Sequence, residues 1–276
     1  MKSTDVRLRN NVRVVGPADG PAVVLVQGFG CDQVVWDRLV PYLEGSHRLV
    51  LFDHAGTGGA DIAAYDPVKY SSLGGYTADL TEILDVLSLR DATIVGHTVG
   101  GMTALAAAAA GHAGIGRLVL LGTSPCYANL PEAGYFGGFS RDDMEEILAA
   151  AEGNFPLWAA SSATALVGDS APAEISAELA ERLCRLHPSY VRDFLRMSLH
   201  SDVRHLLPEV RVPVTILQAA ADPLTPAACS QYLFDFLPQG ELIHLKAKGN
   251  MPHLSAPEEI ARVLQNRVPR ATHVNN

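Results

Sequence analysis

The segment GHTVG, residues 96–100, combines a hydroxyl side chain with flanking glycines. It follows the apolar run at 92–96 and precedes a stretch of small residues. In that context a tight strand-to-helix turn can present a nucleophile. The glycines allow strand and helix to approach closely, while the central side chain is held out on a strained turn. The pattern predicts that Thr98 is a nucleophile for acyl transfer.

A hydroxyl nucleophile also needs a base, and the base needs an acid to orient it. On this kind of turn the acid and then the histidine follow the nucleophile along the chain. Asp222 lies just past the apolar run at 214–218, and His253 lies past the next run. This order predicts His253 as the general base toward Thr98, with Asp222 stabilising its imidazolium form.

The developing negative charge of acyl transfer needs two backbone N–H donors. One is expected from Val99, the residue after the nucleophile. The other is expected from the glycine-rich turn VQGFGCDQVVW, where Phe29 is the best-placed residue.

The rest of the chain alternates short apolar runs with helical patterns. Such runs are typical of strands buried on both faces of a mostly parallel sheet, and their alternation with helices predicts an α/β fold. The opening segment 5–16 is expected to form an antiparallel hairpin around Asn10 and Asn11. The predicted strands are 22–26, 47–53, 92–96, 117–122, 214–218 and 241–245.

One region interrupts this alternation. Residues 127–207 contain helical stretches and no convincing strand, and Ser140 is expected to cap one of the helices. The segment is too long for an ordinary crossover. We therefore expect a core of residues 1–126 and 208–276, with residues 127–207 as a helical lid over the edge of the sheet where ligands bind.

Composition excludes several classes of function. The net charge of −9 argues against nucleic acid or an anionic membrane as the main partner. The N-terminus lacks the apolar core of a secretory signal, and no stretch is long enough to span a bilayer, so we expect a soluble, cytoplasmic protein. The four cysteines are far apart, no histidine pair has metal-ligand spacing, and no dinucleotide fingerprint is complete. We expect no metal and no cofactor.

Several motifs in order resemble the RsbQ-like α/β-hydrolases: GFGCDQVVW, GHTVGGM, SPCY, GYFGGF, SDVR and PHLSAP. That family includes a bacterial stress-response regulator and the plant karrikin and strigolactone receptors. The resemblance covers about residues 5–268. It implies an α/β-hydrolase fold with an inserted four-helix lid, a mainly hydrophobic pocket, and slow turnover of small esters, lactones or enol ethers.

By motif, the resemblance assigns Thr98, Asp222 and His253 to the triad and Phe29 and Val99 to the oxyanion site. From the lid, the residues expected on the pocket wall are Phe139, Trp158 and Phe194. The sequence departs from the family pattern at three positions. Threonine replaces the usual serine at 98, Gln27 stands where many relatives have histidine, and Asn250 stands where the family often has a histidine three residues before His253.

Three functions remain open from the sequence. The first is a slow hydrolase of a small, largely apolar ester or lactone, with Thr98 in place of serine. The second is a binding or signalling module with little turnover and a regulatory protein partner at the lid. The third is a non-hydrolytic enzyme of small-molecule biosynthesis, in which His253 is a base and Thr98 only donates a hydrogen bond.

Overall fold

The computed structural model describes residues 5–168 and 171–268. Within these ranges the chain forms seven strands and ten α-helices joined by short 3₁₀ turns. The strands are β1 (Arg13–Val15), β2 (Ala22–Val26), β3 (Arg48–Leu51), β4 (Ala92–His97), β5 (Ile115–Leu121), β6 (Val214–Gln218) and β7 (Gly240–His244). The helices are α1 (Val6–Arg9), α2 (Leu73–Val86), α3 (Val99–Ala109), α4 (Arg141–Gly153), α5 (Phe155–Val167), α6 (Ala173–Cys184), α7 (Pro188–His200), α8 (Ala227–Phe236), α9 (Pro252–Ser255) and α10 (Pro257–Arg267).

The seven strands form one sheet in the order β1-β3-β2-β4-β5-β6-β7. Only β1 is antiparallel to its neighbour, and all the other pairs are parallel. Because the carboxyl ends of parallel strands meet at one edge, the loops after β2, β4 and β6 converge there. The predicted α/β class with a mostly parallel sheet is confirmed.

The continuous apolar runs reflect burial on both faces of the sheet. Along β2, Val24 and Val26 pack into the core shared with α2 and α3, whereas Val23 and Leu25 pack into the core on the opposite face. Consecutive strand side chains point to opposite faces, so two cores require apolar residues at every position. No helix in the described ranges is long and apolar enough to cross a membrane.

The predicted N-terminal hairpin is wrong. Residues Val6–Arg9 form the short helix α1, which Asp5 caps by accepting a hydrogen bond from the Arg7 backbone. Asn10 is buried, and its amide donates to the backbone oxygen of Asp53, so this residue anchors the chain instead of forming a turn. Strand β1 then pairs with β3.

The helices α4–α7 between β5 and β6 are called the lid below. Ser140 caps α4 in a reciprocal capping box with Asp143, as the sequence predicted for this serine. Helices α4, α6 and α7 coincide with the helical stretches that the sequence predicts at 140–153, 171–186 and 188–201. Helix α5 was not individually predicted. It is rich in small and apolar residues, and its amphipathic pattern is correspondingly weak.

Gly100 sets the distance between α3 and β2. A Cβ atom at this position would lie 2.4 Å from the backbone oxygen of Val26 and 2.6 Å from that of Gln27. We expect Gly100→Ala to lower the free energy of unfolding by about 3 kcal/mol, because strand and helix must separate to admit the methyl group. Urea denaturation measures this change.

Gly45→Ala is the matched control. Gly45 is exposed, and a Cβ atom there would have no neighbour within 4 Å, so its substitution should change stability by less than about 0.5 kcal/mol. Equal stability of the two variants would contradict this account of the β2–α3 contact.

Candidate active site

Thr98 occupies the turn between β4 and α3. Its backbone has φ 50° and ψ −118°, and its N–H donates to the Leu121 oxygen across 3.0 Å. Positive φ is a strained conformation for a β-branched residue and costs about 1–3 kcal/mol. The turn is tight, since a Cβ atom on Gly96 would lie 2.5 Å from the Gly101 Cα atom. This geometry is that of a nucleophile elbow.

The turn after β2 lies directly against the Thr98 side chain. A Cβ atom on Gly28 would lie 1.9 Å from Thr98 Oγ1, so only glycine leaves space for the hydroxyl there. The next residue, Phe29, lines the same pocket as Thr98 and Val99. Val99 is the first residue of α3, and the N–H groups of a first helical turn have no partner within the helix. Phe29 and Val99 therefore both lie at the pocket, and their assignment as oxyanion donors stays a prediction.

Asp222 lies in the loop after β6 and is held by three donors. Its carboxylate accepts from the Leu224 N–H at 2.8 Å, the Thr225 N–H at 3.0 Å and Asn250 Nδ2 at 2.9 Å. Burial raises the pKa of this carboxyl, and these hydrogen bonds act in the opposite direction. The acid is therefore oriented toward the loop that contains Asn250.

Asn250 connects Asp222 to His97. While its Nδ2 faces the carboxylate, its Oδ1 and backbone oxygen both lie 3.0 Å from His97 Nε2. Two acceptors require Nε2 to be the protonated ring nitrogen, so the unprotonated Nδ1 bears the lone pair. Burial lowers the pKa of His97 to about 4, and its Nδ1 has no hydrogen-bond partner in the described ranges. His97 is neutral at pH 7 and a weak base.

The loop of Asn250 is also attached to the lid. The backbone N–H groups of Asn250 and Met251 both donate to the Leu166 oxygen near the end of α5, at 2.7 and 3.2 Å. Asn250 therefore contacts the acid, the elbow histidine and the lid at once.

The predicted hydrogen-bonded pair of Asp222 and His253 is wrong. His253 lies in α9 with no exposed surface, and within the described residues neither of its ring nitrogens has a hydrogen-bond partner. Its ring packs 4.5 Å from the Trp36 ring and 4.6 Å from the His97 ring, measured between centroids. Burial lowers the pKa of His253 well below its ordinary value, and His97 adds to the effect. The side chain that meets Asp222 is that of Asn250.

Within the described residues no histidine nitrogen is hydrogen-bonded to the Thr98 hydroxyl. His97 Nδ1 and both nitrogens of His253 are unpartnered, and His97 Nε2 donates to Asn250, so none of them accepts a hydrogen bond from the Thr98 hydroxyl. Asn250 pairs with Asp222, where the sequence predicted His253 to pair, and an amide has no basic nitrogen. Among the described residues the site combines the Thr98 elbow, the buried Asp222 carboxylate and the backbones of Phe29 and Val99, and no basic side chain is hydrogen-bonded to Thr98.

A pocket of about 180 Å³ lies between Thr98 and the lid. Its wall is mostly apolar, with contributions from α4, α5, α6 and α7. The lid residues that line it are Ile147, Trp158, Ser162, Ala165, Leu166, Leu179, Leu183, Leu195, Ser198 and Leu199. A small, largely apolar molecule with one polar end toward Thr98 fits this chemistry.

Of the three lid aromatics predicted for the wall, only Trp158 lines the pocket. Phe194 is 1% exposed and stacks behind Phe29, with ring centroids 5.6 Å apart. Phe139 packs edge-on against Tyr127 outside the cavity. Aromatic character alone identified these residues, but the side of a lid helix that faces the ligand depends on how the helices pack.

A larger and more polar cleft of about 560 Å³ lies between residues 56–60 and the lid residues Arg182 and Arg185. It does not include Thr98, so its size does not make it the reaction site. Among residues 5–168 and 171–268, no three His, Cys, Asp or Glu side chains are grouped so that they could hold a metal ion.

The geometry and the sheet order define an α/β-hydrolase fold whose elbow bears threonine. Residues 23–263 match the model of the alpha/beta hydrolase family, and the chain belongs to this family. This result confirms the resemblance drawn from the motifs.

Relatives of nearly the same length include receptors and esterases. A karrikin insensitive 2 receptor of Petunia hybrida is 33% identical, with 94% of this chain and 95% of the receptor covered. A strigolactone esterase of Arabidopsis thaliana is 34% identical over 94% of this chain and 96% of its own. Among solved structures, a hydrolase from Oleispira antarctica has a TM-score of 0.91 and 34% identity, with 95% and 96% of the two chains covered.

Proposed function

We propose that this protein binds a compact, largely apolar carbonyl compound in the lidded pocket and hydrolyses it slowly or not at all. Esters and lactones, including those that carry an enol-ether substituent, are the candidate classes. The single observation that carries the proposal is the pairing of Asn250 with Asp222 beside Thr98. The features that bind a carbonyl group are present, whereas the group that would activate the hydroxyl is replaced by an amide.

Binding in this proposal uses the backbone of the elbow and of the turn after β2. The N–H groups of Phe29 and Val99 donate to the carbonyl oxygen of the ligand, and the positive end of α3 supports the same interaction. The apolar lid wall removes the remainder of the ligand from water. Neither interaction needs Thr98 to react.

Slow turnover follows from two deficits in the reacting groups. Attack by Thr98 Oγ1 on the carbonyl carbon releases the hydroxyl proton, and without a positioned base this proton must pass to water. General base catalysis contributes about 10²–10⁴-fold in rate, so its loss is large. The threonine methyl group adds crowding on the path to the carbonyl carbon.

A protein partner at the lid extends the same proposal. The Petunia relative is a receptor, and here Trp158 lines the pocket while its neighbour Leu157 is 67% exposed. A ligand that changes the packing of Trp158 can thereby alter a surface available to a regulatory protein. This supports the signalling alternative over an efficient enzyme.

The two functions that depend on His253 as a base have less support. His253 does not line the pocket, and its nitrogens contact neither Asp222 nor Thr98. A Thr98–His253–Asp222 relay would need both the α9 helix and the Asn250 loop to rearrange. The same is true of an elimination or cyclisation that begins with proton removal by His253.

Ligand binding can be measured by calorimetric titration with 1-indanone, a compact bicyclic ketone that cannot be hydrolysed. We expect wild-type protein to bind it and Ile147→Trp to bind it at least tenfold more weakly, since Ile147 is a half-buried wall residue and the larger ring would fill the pocket. Val86→Trp is the control. It adds the same ring on α2 at a residue that is 44% exposed and outside the pocket wall.

Equal affinity of the wild-type protein and Ile147→Trp would contradict binding in this pocket. Rapid hydrolysis of p-nitrophenyl acetate by wild-type protein, with a burst of p-nitrophenol equal to the enzyme concentration, would contradict the missing base.

A further inference from the structure

Ser198 stands out in the apolar pocket wall. It lies on α7, is 4% exposed and lines the cavity, and its Oγ atom has no hydrogen-bond partner in the described ranges. Its neighbours on the wall include Leu195 and Leu199 of the same helix. A buried hydroxyl without a partner is unfavourable, so its position calls for an explanation.

Several other hydroxyls near or within helices of this protein donate to a local backbone oxygen. Ser201, just after α7, donates to the Met197 oxygen at 2.7 Å, and Thr103 in α3 donates to the Val99 oxygen at 3.0 Å. Such bonds to the fourth preceding residue are the usual solution for serine and threonine in helices. Ser198 lacks one, so its hydroxyl stays available to a molecule in the pocket.

We propose that Ser198 selects ligands that bear a second polar group, namely compact carbonyl compounds with a hydroxyl substituent. The inference rests on the proposed function and deepens it. The carbonyl oxygen is held by the backbone at Thr98, and the hydroxyl of the ligand reaches α7 and pairs with Ser198 Oγ. Serine both donates and accepts, so a hydroxyl group satisfies it in either direction.

Selectivity of this kind arises because the lid part of the wall is mostly apolar, with Ser162 as the other hydroxyl among its lining residues. A ligand without the second group leaves Ser198 Oγ unpaired, whereas a ligand with it forms a hydrogen bond shielded from water. A site built to bond a hydroxyl discriminates strongly against the analogue that lacks it. Ser198 is thus a specificity-determining residue, distinct from the groups that hold the carbonyl.

The test compares 1-indanone with its four isomers hydroxylated on the benzene ring, which scan the position of the hydroxyl relative to the ketone. Affinities are measured by calorimetric titration. We expect at least one isomer to bind wild-type protein about tenfold more tightly than 1-indanone does. Ser198→Ala should abolish this preference, so that 1-indanone and its hydroxylated isomers bind this variant with similar affinities.

Ser161→Ala is the matched control, because Ser161 is an exposed lid serine that donates to the Trp158 oxygen. It should retain the preference for the hydroxylated isomer. A merely structural effect of Ser198→Ala would change the affinities for 1-indanone and its hydroxylated isomers in parallel, so the ratio between them is the informative quantity.

The outcomes separate the two proposals. If 1-indanone binds but no hydroxylated isomer is preferred, or if Ser198→Ala keeps the preference, the inference about Ser198 is overturned while the proposed function stands. If neither 1-indanone nor any isomer binds, the proposed function fails and the inference fails with it.

Discussion

The double variant Thr98→Ser, Asn250→His is expected to hydrolyse p-nitrophenyl acetate at least about 100-fold faster than the wild-type protein. The substitutions supply the two missing groups, an unhindered hydroxyl and a base beside the acid. A positioned general base alone contributes about 10²–10⁴-fold. Release of p-nitrophenol at pH 8 measures the change.

The surroundings of Asn250 explain why a histidine should function there. The side chain already meets the Asp222 carboxylate at 2.9 Å and lines the pocket next to Thr98. An imidazole in its place can donate one ring N–H to Asp222 and turn its other nitrogen toward position 98. His97 keeps a partner, because its Nε2 also donates to the backbone oxygen of residue 250.

Three further variants make the expected result specific. Each single substitution should gain less than the double variant, since groups that act as a unit are not additive. Adding Asp222→Asn to the double variant should remove most of the gain. Thermal denaturation verifies that all the variants are folded, and a folded double variant with wild-type activity would show that Asn250 does not occupy the position of the base.

The second large effect is the loss of folding stability at acidic pH. Stability is expected to fall below about pH 6.5, by about 1.4 kcal/mol per pH unit for each buried histidine that resists protonation. His97, whose pKa is lowered to about 4, and His253, whose pKa is lowered well below its ordinary value, are both fully buried. Because the folded pKa values are depressed, the unfolded chain binds protons that the folded chain does not. Their contribution is therefore complete above the unfolded pKa and is lost as the pH falls toward the folded values.

His253→Phe tests whether His253 contributes to the pH dependence of stability. It also distinguishes a structural role of this residue from a catalytic one. Phenylalanine can pack on Trp36 but cannot be protonated. Between pH 6.5 and 5, the free energy of unfolding of the variant should therefore change less with pH, by about the contribution of one histidine. Urea denaturation at several pH values gives the slopes. Any slow ester hydrolysis by the wild-type protein should persist in this variant. Unchanged pH dependence, or loss of that activity, would contradict a purely structural position for His253.

The sequence was sufficient to predict the sheet and the elbow. Most of the parallel strands are near-continuous apolar runs, and Thr98 is flanked by glycines at the required spacing, so local patterns determine both features. The N-terminal segment was mispredicted because two asparagines resemble a hairpin turn. Asn10 instead forms long-range hydrogen bonds with Asp53 and Asp79, which no local pattern reveals.

The prediction that His253 pairs with Asp222 was wrong because it, too, depended on contacts between distant parts of the chain. His253 and Asn250 are three residues apart, and chain order alone does not distinguish which of them meets the acid. The difference is one of direction. Asn250 projects toward Asp222, whereas His253, on the short helix α9, projects toward Trp36. The sequence shows that asparagine replaces a histidine common in the family at position 250. The consequence of this replacement for Thr98 is visible only from the contacts of Asn250 in the structure. Ser198 gave no signal in sequence at all, since a serine among leucines on a helix indicates nothing about its partner.

The attachment of the Asn250 loop to α5 has a mechanical consequence. The Leu166 oxygen accepts from two successive N–H groups of that loop, so the helix that covers the ligand and the segment that orients the acid are joined at one atom. While both hydrogen bonds hold, a displacement of α5 away from Thr98 also moves residue 250 relative to Asp222. The lid helix and the polar end of the pocket are therefore mechanically coupled through the Leu166 oxygen.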